Sequence, residues 1–459
     1  MSTPEAVHTT LDVTFKGIAR DYERVPLHQF LGIKYASIPA RFGKAVPVKY
    51  SAGTVVDASK YGPRCPQVDV DIRHLLRIPE DFTIAPELED EFECLNLEIT
   101  CPPVSSTSRS LPVLVWIHGG SQVVTFCSAA SQPFIFVSMN YRLNIFGFGN
   151  GKEKNLALGD QRIAIDWIRR NVGLFGGDPE NITLSGESAG AVYTHAHLIT
   201  GPPVKRESKV QELARSSLKS CSVPVLIQAL KECNVNTMWI QADADLEDWE
   251  NRPEQVDELM IGDTEYESVI WRNGIELLDG KTIAAAFKQN GQWGERLRKL
   301  YHVVADRPTA AKLGALDIVN DARFTLPVEI VSQKLRAAGK PVYNYVVDQA
   351  NPWQSSSRAH HAVDLLLLFG GVDLEFNPAA NKVSQEMRQR WIAFVSGDPP
   401  WAGDRRFGYG PLGECTEISE EQFSTRRRSK HCELLRDAGM EVYMPILASL
   451  TAGRISLLN

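Results

Sequence analysis

No apolar run in this chain approaches the ~20 residues that a membrane span needs. The longest are Val113–Ile117 with its flanking Leu111–Pro112, Phe134–Val137 and Leu365–Phe369, each the size of a buried strand or a short helix. The opening, Met1-Ser-Thr-Pro-Glu-Ala-Val-His8, offers neither the basic stretch nor the apolar core of a secretion signal. The last residues, Ile455-Ser-Leu-Leu-Asn459, match no common C-terminal address. These absences predict a cytoplasmic protein, or a secreted one if the N-terminus is incomplete. Eight cysteines in 459 residues are too sparse for a disulfide-built scaffold. Positive charge is not in excess either: 49 Lys and Arg face 56 Asp and Glu, and the formal charge of −7 argues against a nucleic-acid binder. Repeats, long low-complexity tracts and convincing linkers are missing, so residues 1–459 read as one domain. At 43% hydrophobic and 23% charged, the composition excludes a disordered or collagen-like chain.

What is present is an alternation of β-rich apolar runs with amphipathic stretches, the pattern of a mostly parallel sheet with helices on both faces, an α/β class. Strands are predicted at Val113–Ile117, Phe134–Met139, Ile182–Leu184, Leu259–Gly262 and Val342–Val347. Residues 159–171 carry Ile163, Ile165, Trp167 and Ile168 at helical spacing, and a second helix follows Ser188. The sequon Asn181-Ile-Thr183 falls in what reads as a buried strand, so it is taken as chance. The acidic run 87–93 and the basic run 426–430 read as solvated surface.

The segment that carries chemistry is Ser185-Gly186-Glu187-Ser188-Ala189-Gly190. Gly-x-Ser-x-Gly between a strand and a helix is a nucleophile elbow: a sharp turn lifts the serine hydroxyl above the sheet. The flanking glycines remove Cβ atoms that would strike the crossing strand and helix. Upstream, a strand runs into His118-Gly119-Gly120-Ser121, whose backbone N–H groups, with that of Ala189, could hold the negative oxygen of a tetrahedral intermediate. The His118 side chain is read as shaping that loop. His195 and His197, two apart on a helix, are read as packing residues, and no metal site or cofactor is expected.

Taken together, Trp116-Ile-His-Gly-Gly120, Asn140-Tyr-Arg-Leu143, Gly159-Asp-Gln161, Phe175-Gly-Gly-Asp-Pro179 and Gly186-Glu-Ser-Ala-Gly190 strongly resemble the type-B carboxylesterases, the cholinesterase-like branch of the α/β-hydrolases. Ser357-Arg-Ala-His-His-Ala-Val-Asp364 and Pro400-Trp401 resemble the fungal members in particular. The resemblance implies an α/β-hydrolase fold and a serine esterase with a catalytic triad, acting on a small ester substrate through an acyl-enzyme. Matching the local patterns of the family makes Ser188 the nucleophile, Glu267 the acid (with Asp263 and Glu265 as competitors) and His361, rather than His360, the base. Gly119, Gly120, Ser121 and Ala189 form the implied oxyanion hole. It also implies disulfides Cys65–Cys94 and Cys221–Cys233, although in a cytosol such pairs would stay reduced. Choline esterases carry a tryptophan where this chain has Ile84, with Phe82 the nearest aromatic, so a quaternary-ammonium substrate is not expected.

Against the family pattern the chain is short near 121–133 and 201–220. Only Ser121–Pro133 joins two strands expected to be parallel. After the elbow helix, the chain passes through residues 199–206 to the polar stretch 207–217 where a further strand is expected. The run Val223–Ile227 is a candidate substitute for that strand. If none replaces it, the alternative is a catalytically impaired or non-enzymatic relative of the esterases. The sequence leaves the oligomeric state open.

Overall fold

A computed structural model describes residues 4–8, 12–22, 25–68, 72–80, 87–103, 110–119, 132–148, 153–200, 222–232, 238, 240–241, 246, 252, 255–288, 290–369 and 371–455. Contacts gather the chain into two compact units. The first is Met1–Asp69, Ile84–Gln255 and Val395–Asp398; the second is Val70–Thr83, Val256–Phe394 and Pro399–Asn459.

The first unit is organised by a six-stranded sheet. In chain order its strands are β1 (Ile18–Tyr22), β2 (Val25–Lys34), β3 (Asn96–Cys101), β4 (Leu111–Ile117), β5 (Ile135–Met139) and β6 (Gly177–Gly186). In space they run β6-β4-β5-β3-β2-β1. The β6, β4 and β5 pairings are parallel; β5 with β3, β3 with β2 and β2 with β1 are antiparallel. Residues 113–117 of β4 and all of β5 are buried, which explains their unbroken apolar spelling. Helix α1 (Leu156–Asn171) turns Ala157, Gln161, Ala164 and Ile168 inward at 3.6-residue spacing. Two motifs that the sequence shows far apart meet here: Arg142 places Nε and Nη2 on the Asp160 carboxylate at 2.7 and 2.6 Å, an ion pair only 2% and 0% exposed.

Strand β6 is longer than the sequence suggests, and it is not fully buried. Its only strand partner among the described residues is β4, and Ile182, Thr183 and Leu184 are half-buried, as befits an edge. Asn181 therefore does not lie in a sealed core. The run from Val223 is α3 (Val223–Glu232), with Leu226 and Leu230 buried one turn apart, so it does not supply the missing strand. Helix α2 (Ala189–Thr200) follows the elbow. The stretches 120–131 and 201–221, where the chain falls short of the family pattern, lie outside the described residues.

The second unit is built on a four-stranded sheet of β7 (Leu259–Thr264), β8 (Val342–Val347), β9 (Arg406–Tyr409) and β10 (Cys415–Ile418), adjacent in that order. The β7, β8 and β9 pairings are parallel, and β10 closes the edge antiparallel. Its helices include α4 (Leu326–Ala337) and the short α5 (Val363–Phe369). A separate apolar core gathers Ile275, Ile283, Phe287, Leu297, Ile318 and Ile446, among others.

The basic run 426–430 is not the solvated surface its charge suggests. Arg427, 2% exposed, reaches Asp263 Oδ1 at 2.9 Å and Asp348 Oδ1 at 2.8 Å. It thereby ties the ends of β7 and β8 together. Arg426 adds Asp348 at 3.0 Å and Arg428 adds Asp321 at 2.7 Å. Charge counting cannot separate such a run from a surface patch, because its partners lie more than 70 residues away. Arg427→Ala leaves buried Asp263 without its cation and Asp348 with Arg426 alone, which costs about 3–5 kcal/mol. Exposed Lys430→Ala stays within about 0.5 kcal/mol of wild type. Urea midpoints of the two variants check the contrast, and equal midpoints would contradict the buried network.

Candidate active site

In the first unit, the parallel pairing of β6 with β4 ends at Ser185 opposite Trp116 and Gly186 opposite Ile117. That register delivers the elbow and the His118-Gly119 loop to the same end of the sheet, beyond the carboxyl ends of the strands, where open α/β sheets bind ligands. Ser188 sits in the left-handed region at φ 55°, a conformation that a serine adopts only when its surroundings impose it. The glycines do what the motif requires. A Cβ on Gly186 would lie 2.4 Å from the Gly190 carbonyl carbon, and one on Gly190 would lie 1.9 Å from the Ile117 oxygen. Helix α2 starts at once, with the Ala191 amide donating to the Ser188 carbonyl at 3.1 Å.

Gly119 packs directly on the elbow. A Cβ there would stand 3.2 Å from the Ser188 Cβ, 2.6 Å from the Glu187 carbonyl oxygen and 3.4 Å from Glu187 Oε2. Glycine thus lets the loop backbone approach the nucleophile, and it brings the Glu187 carboxylate beside both. The His118 side chain shapes the loop, as expected. Its ring stacks on Tyr141 at 4.5 Å, burial pulls its pKa down to about 4, and the Tyr141 hydroxyl donates to the His118 carbonyl. Gly120 and Ser121 lie outside the described residues, as do Ile84 and Phe82.

In the second unit, the chain leaves β7 and turns into a 3-10 helix at Glu267–Trp271. The Tyr266 amide donates to the Ala359 carbonyl at 2.9 Å, and the His361 amide donates to the Tyr266 carbonyl at 3.2 Å. This short ladder holds the histidine loop alongside the acid turn. His361 Nδ1 lies 2.5 Å from Glu267 Oε2, both side chains being nearly sealed, and Glu267 Oε1 accepts the Thr264 amide at 2.7 Å. Burial alone would raise the Glu267 pKa, but the hydrogen bond and charge of His361, with the Thr264 amide, hold it below the ordinary carboxylate range. The Phe324 ring packs edge-on against His361 at 5.6 Å.

The other candidates are occupied elsewhere. Asp263 is held by Arg427 and by the Thr325 hydroxyl at 2.6 Å, and Glu265 by Arg358 at 2.6 Å. His360 turns to Asn351, 3.0 Å from Nε2, and to the His361 carbonyl, 2.8 Å from Nδ1; burial pulls its pKa down to about 4. His197 is buried against Gln161 at 2.8 Å, a packing role, and no cluster suited to a metal occurs among the described residues. Cys65 and Cys94 are buried neighbours carried as free thiols, while Cys221 and Cys233 lie outside the described residues. No described helix is long and apolar enough to cross a membrane. Sequence reasoning missed Asn320, whose side-chain oxygen accepts the Ser268 amide at 3.1 Å and anchors the acid turn; no pattern near it announces that task.

The strand order, the elbow and the buried acid–histidine pair define a hydrolase of the α/β-hydrolase fold, and comparison with known proteins is specific about which. The carboxylesterase family matches residues 4–238 and 262–434, and the chain belongs to that family. It is a carboxylic ester hydrolase by that membership. Among curated relatives, lipase 3 of Yarrowia lipolytica is 29% identical over 89% of this chain and 92% of its own length. The inactive carboxylesterase-like protein VdtD of Byssochlamys spectabilis is 32% identical over 44% of this chain and 37% of its own. Among solved structures, juvenile hormone esterase from Manduca sexta superposes with a TM-score of 0.71 at 18% identity, covering 95% of this chain and 99% of that one, a likeness of fold.

Proposed function

We propose that this esterase works through an acyl-enzyme on Ser188, with His361 as general base and acid and Glu267 as the carboxylate that orients it. The observation that carries the reading is the sealed 2.5 Å contact between His361 Nδ1 and Glu267 Oε2. An anionic Glu267 keeps the ring proton on Nδ1 and leaves Nε2 with a lone pair, which is what deprotonating a serine requires. The strained Ser188 is the reading's nucleophile. Its hydroxyl attacks the ester carbonyl while its proton passes to His361; the imidazolium then protonates the leaving alcohol, and water repeats the cycle on the acyl-serine. The amides of Gly119, Gly120, Ser121 and Ala189 are the proposed donors to the oxyanion. No cofactor takes part in these steps.

The substrate class is a small ester of a neutral alcohol. Steady hydrolysis of a short-chain nitrophenyl ester, with an acyl adduct recovered on the Ser188 peptide after acid quench, is the expected result. A folded, monodisperse protein that releases no nitrophenol would refute it.

A further inference from the structure

The basic run 426–430 does more than tie two strands together. Arg427 stands between the helices Glu420–Arg426 and Ser429–Ala438, where its amide closes the first by donating to the Phe423 carbonyl at 2.7 Å. From there the buried guanidinium lays its fork on the side chain and the main chain of one residue. Nε donates to Asp263 Oδ1 at 2.9 Å, and Nη2 donates to the Asp263 main-chain carbonyl at 3.1 Å. Nη1 reaches Asp348 Oδ1 at 2.8 Å. The Thr325 hydroxyl donates to Asp263 Oδ2 at 2.6 Å, so the carboxylate that aims the fork is itself fixed.

That main-chain carbonyl belongs to the same peptide group as the Thr264 N–H. A trans peptide is planar, with C=O and N–H on opposite edges, so a bond that fixes the oxygen also fixes where the N–H points. The Thr264 N–H points at Glu267 Oε1, 2.7 Å away, and Glu267 Oε2 meets His361 Nδ1 at 2.5 Å. A continuous line of contacts therefore runs from a buried cation, across one peptide plane and one carboxylate, to the ring. Hydrogen bonds in series polarise one another, most strongly where water is excluded. A guanidinium on the oxygen draws electron density from the peptide and makes its N–H a stronger donor to an anion.

We propose that Arg427 is a positioning residue for the carboxylate behind the base: through the 263–264 peptide it holds Glu267 anionic and fixes the direction of Oε2 toward His361. The inference rests on the reading of Glu267 and His361 as acid and base. No bond is made or broken in this role. The pull of the cation through the peptide weakens the claim of Glu267 on the Nδ1 proton, so that proton stays on the ring while Nε2 takes another.

Arg427→Lys keeps the buried cation but removes the planar fork, and a single ammonium cannot serve the Asp263 carboxylate, Asp348 and the Asp263 carbonyl together. The expected result is a kcat lowered by about 10- to 100-fold with KM unchanged, the mark of a misdirected base rather than of lost binding. Asp348→Asn loosens the same cluster from its other side and leaves both Asp263 contacts in place, so its kcat stays close to wild type. In NMR of selectively labelled protein, the His361 Nδ1 proton and the Thr264 amide proton both move upfield in Arg427→Lys and hold their places in Asp348→Asn. A wild-type kcat in Arg427→Lys, an equal loss in Asp348→Asn, or unmoved resonances overturns the proposal. If the lysine variant does not fold, Glu267→Gln reads the same line from its other end. The Arg427 guanidinium protons then shift when the anion is removed, and unshifted protons overturn the proposal. The resonances need no turnover, so they judge Arg427 even in a protein that hydrolyses nothing. Failure of Ser188 to acylate, by contrast, strikes the functional reading alone.

Discussion

Ser188→Ala lowers the turnover of a nitrophenyl ester by about 10⁴-fold or more while leaving the fold in place. The size of the loss follows from what remains. Backbone donors and substrate binding still operate without the hydroxyl, but no other group begins the acyl transfer, so only their residual catalysis over water survives. Stability is nearly untouched, because alanine bears the same φ of 55° at the same Cβ and the glycines that make room for the turn are unchanged. A melting curve within about 0.5 kcal/mol of wild type, beside a collapsed rate, separates loss of chemistry from loss of structure.

Glu267→Gln has the next largest effect, a fall in kcat of about 10³–10⁴-fold with KM little changed. The glutamine carbonyl can still accept the Thr264 amide. Its NH2 then faces His361 Nδ1, where a carboxylate oxygen stood at 2.5 Å. Two donors cannot share that contact, so the ring moves its proton to Nε2 and presents no lone pair to the serine. Glu265→Gln, at a residue half-exposed and bound to Arg358, stays near wild type. A large loss in that variant instead would move the acid role to Glu265. Linkage has a definite sign here. The folded Glu267 pKa is depressed, so its stabilising contribution is complete above the ordinary carboxylate range and fades as pH falls through the lowered value. A loss of activity near neutral pH would therefore not come from protonation of Glu267.

Much of this was legible in the sequence, for identifiable reasons. The elbow was readable because its physics needs glycine on both sides of one serine, and the contacts of Gly186 and Gly190 show why. Strands β4, β5 and β8 spell themselves out as short apolar runs because they are buried. The carboxylate that meets His361 was readable only through resemblance: Asp263, Glu265 and Glu267 look equivalent along the chain, and only the fold sends one to His361, one to Arg427 and one to Arg358. The basic run 426–430 misled, since burial of an arginine depends on partners that no local pattern reveals. Asp364 served as a landmark for locating His361, and the burial of its Oδ1 emerged only in the structure. The run from Val223 was ambiguous because a five-residue apolar stretch suits strand and helix alike, and burial of Leu226 with Leu230 resolved it as helix.

The central claim is that Ser188 is a nucleophile activated by a histidine–carboxylate pair. Treating the intact protein with a fluorophosphonate probe and mapping the modified peptide tests it most directly. The account predicts stoichiometric labelling on Ser188, abolished in Ser188→Ala and strongly slowed in His361→Ala. A folded wild-type protein that stays unlabelled, or labelling at another serine that persists in Ser188→Ala, would contradict it.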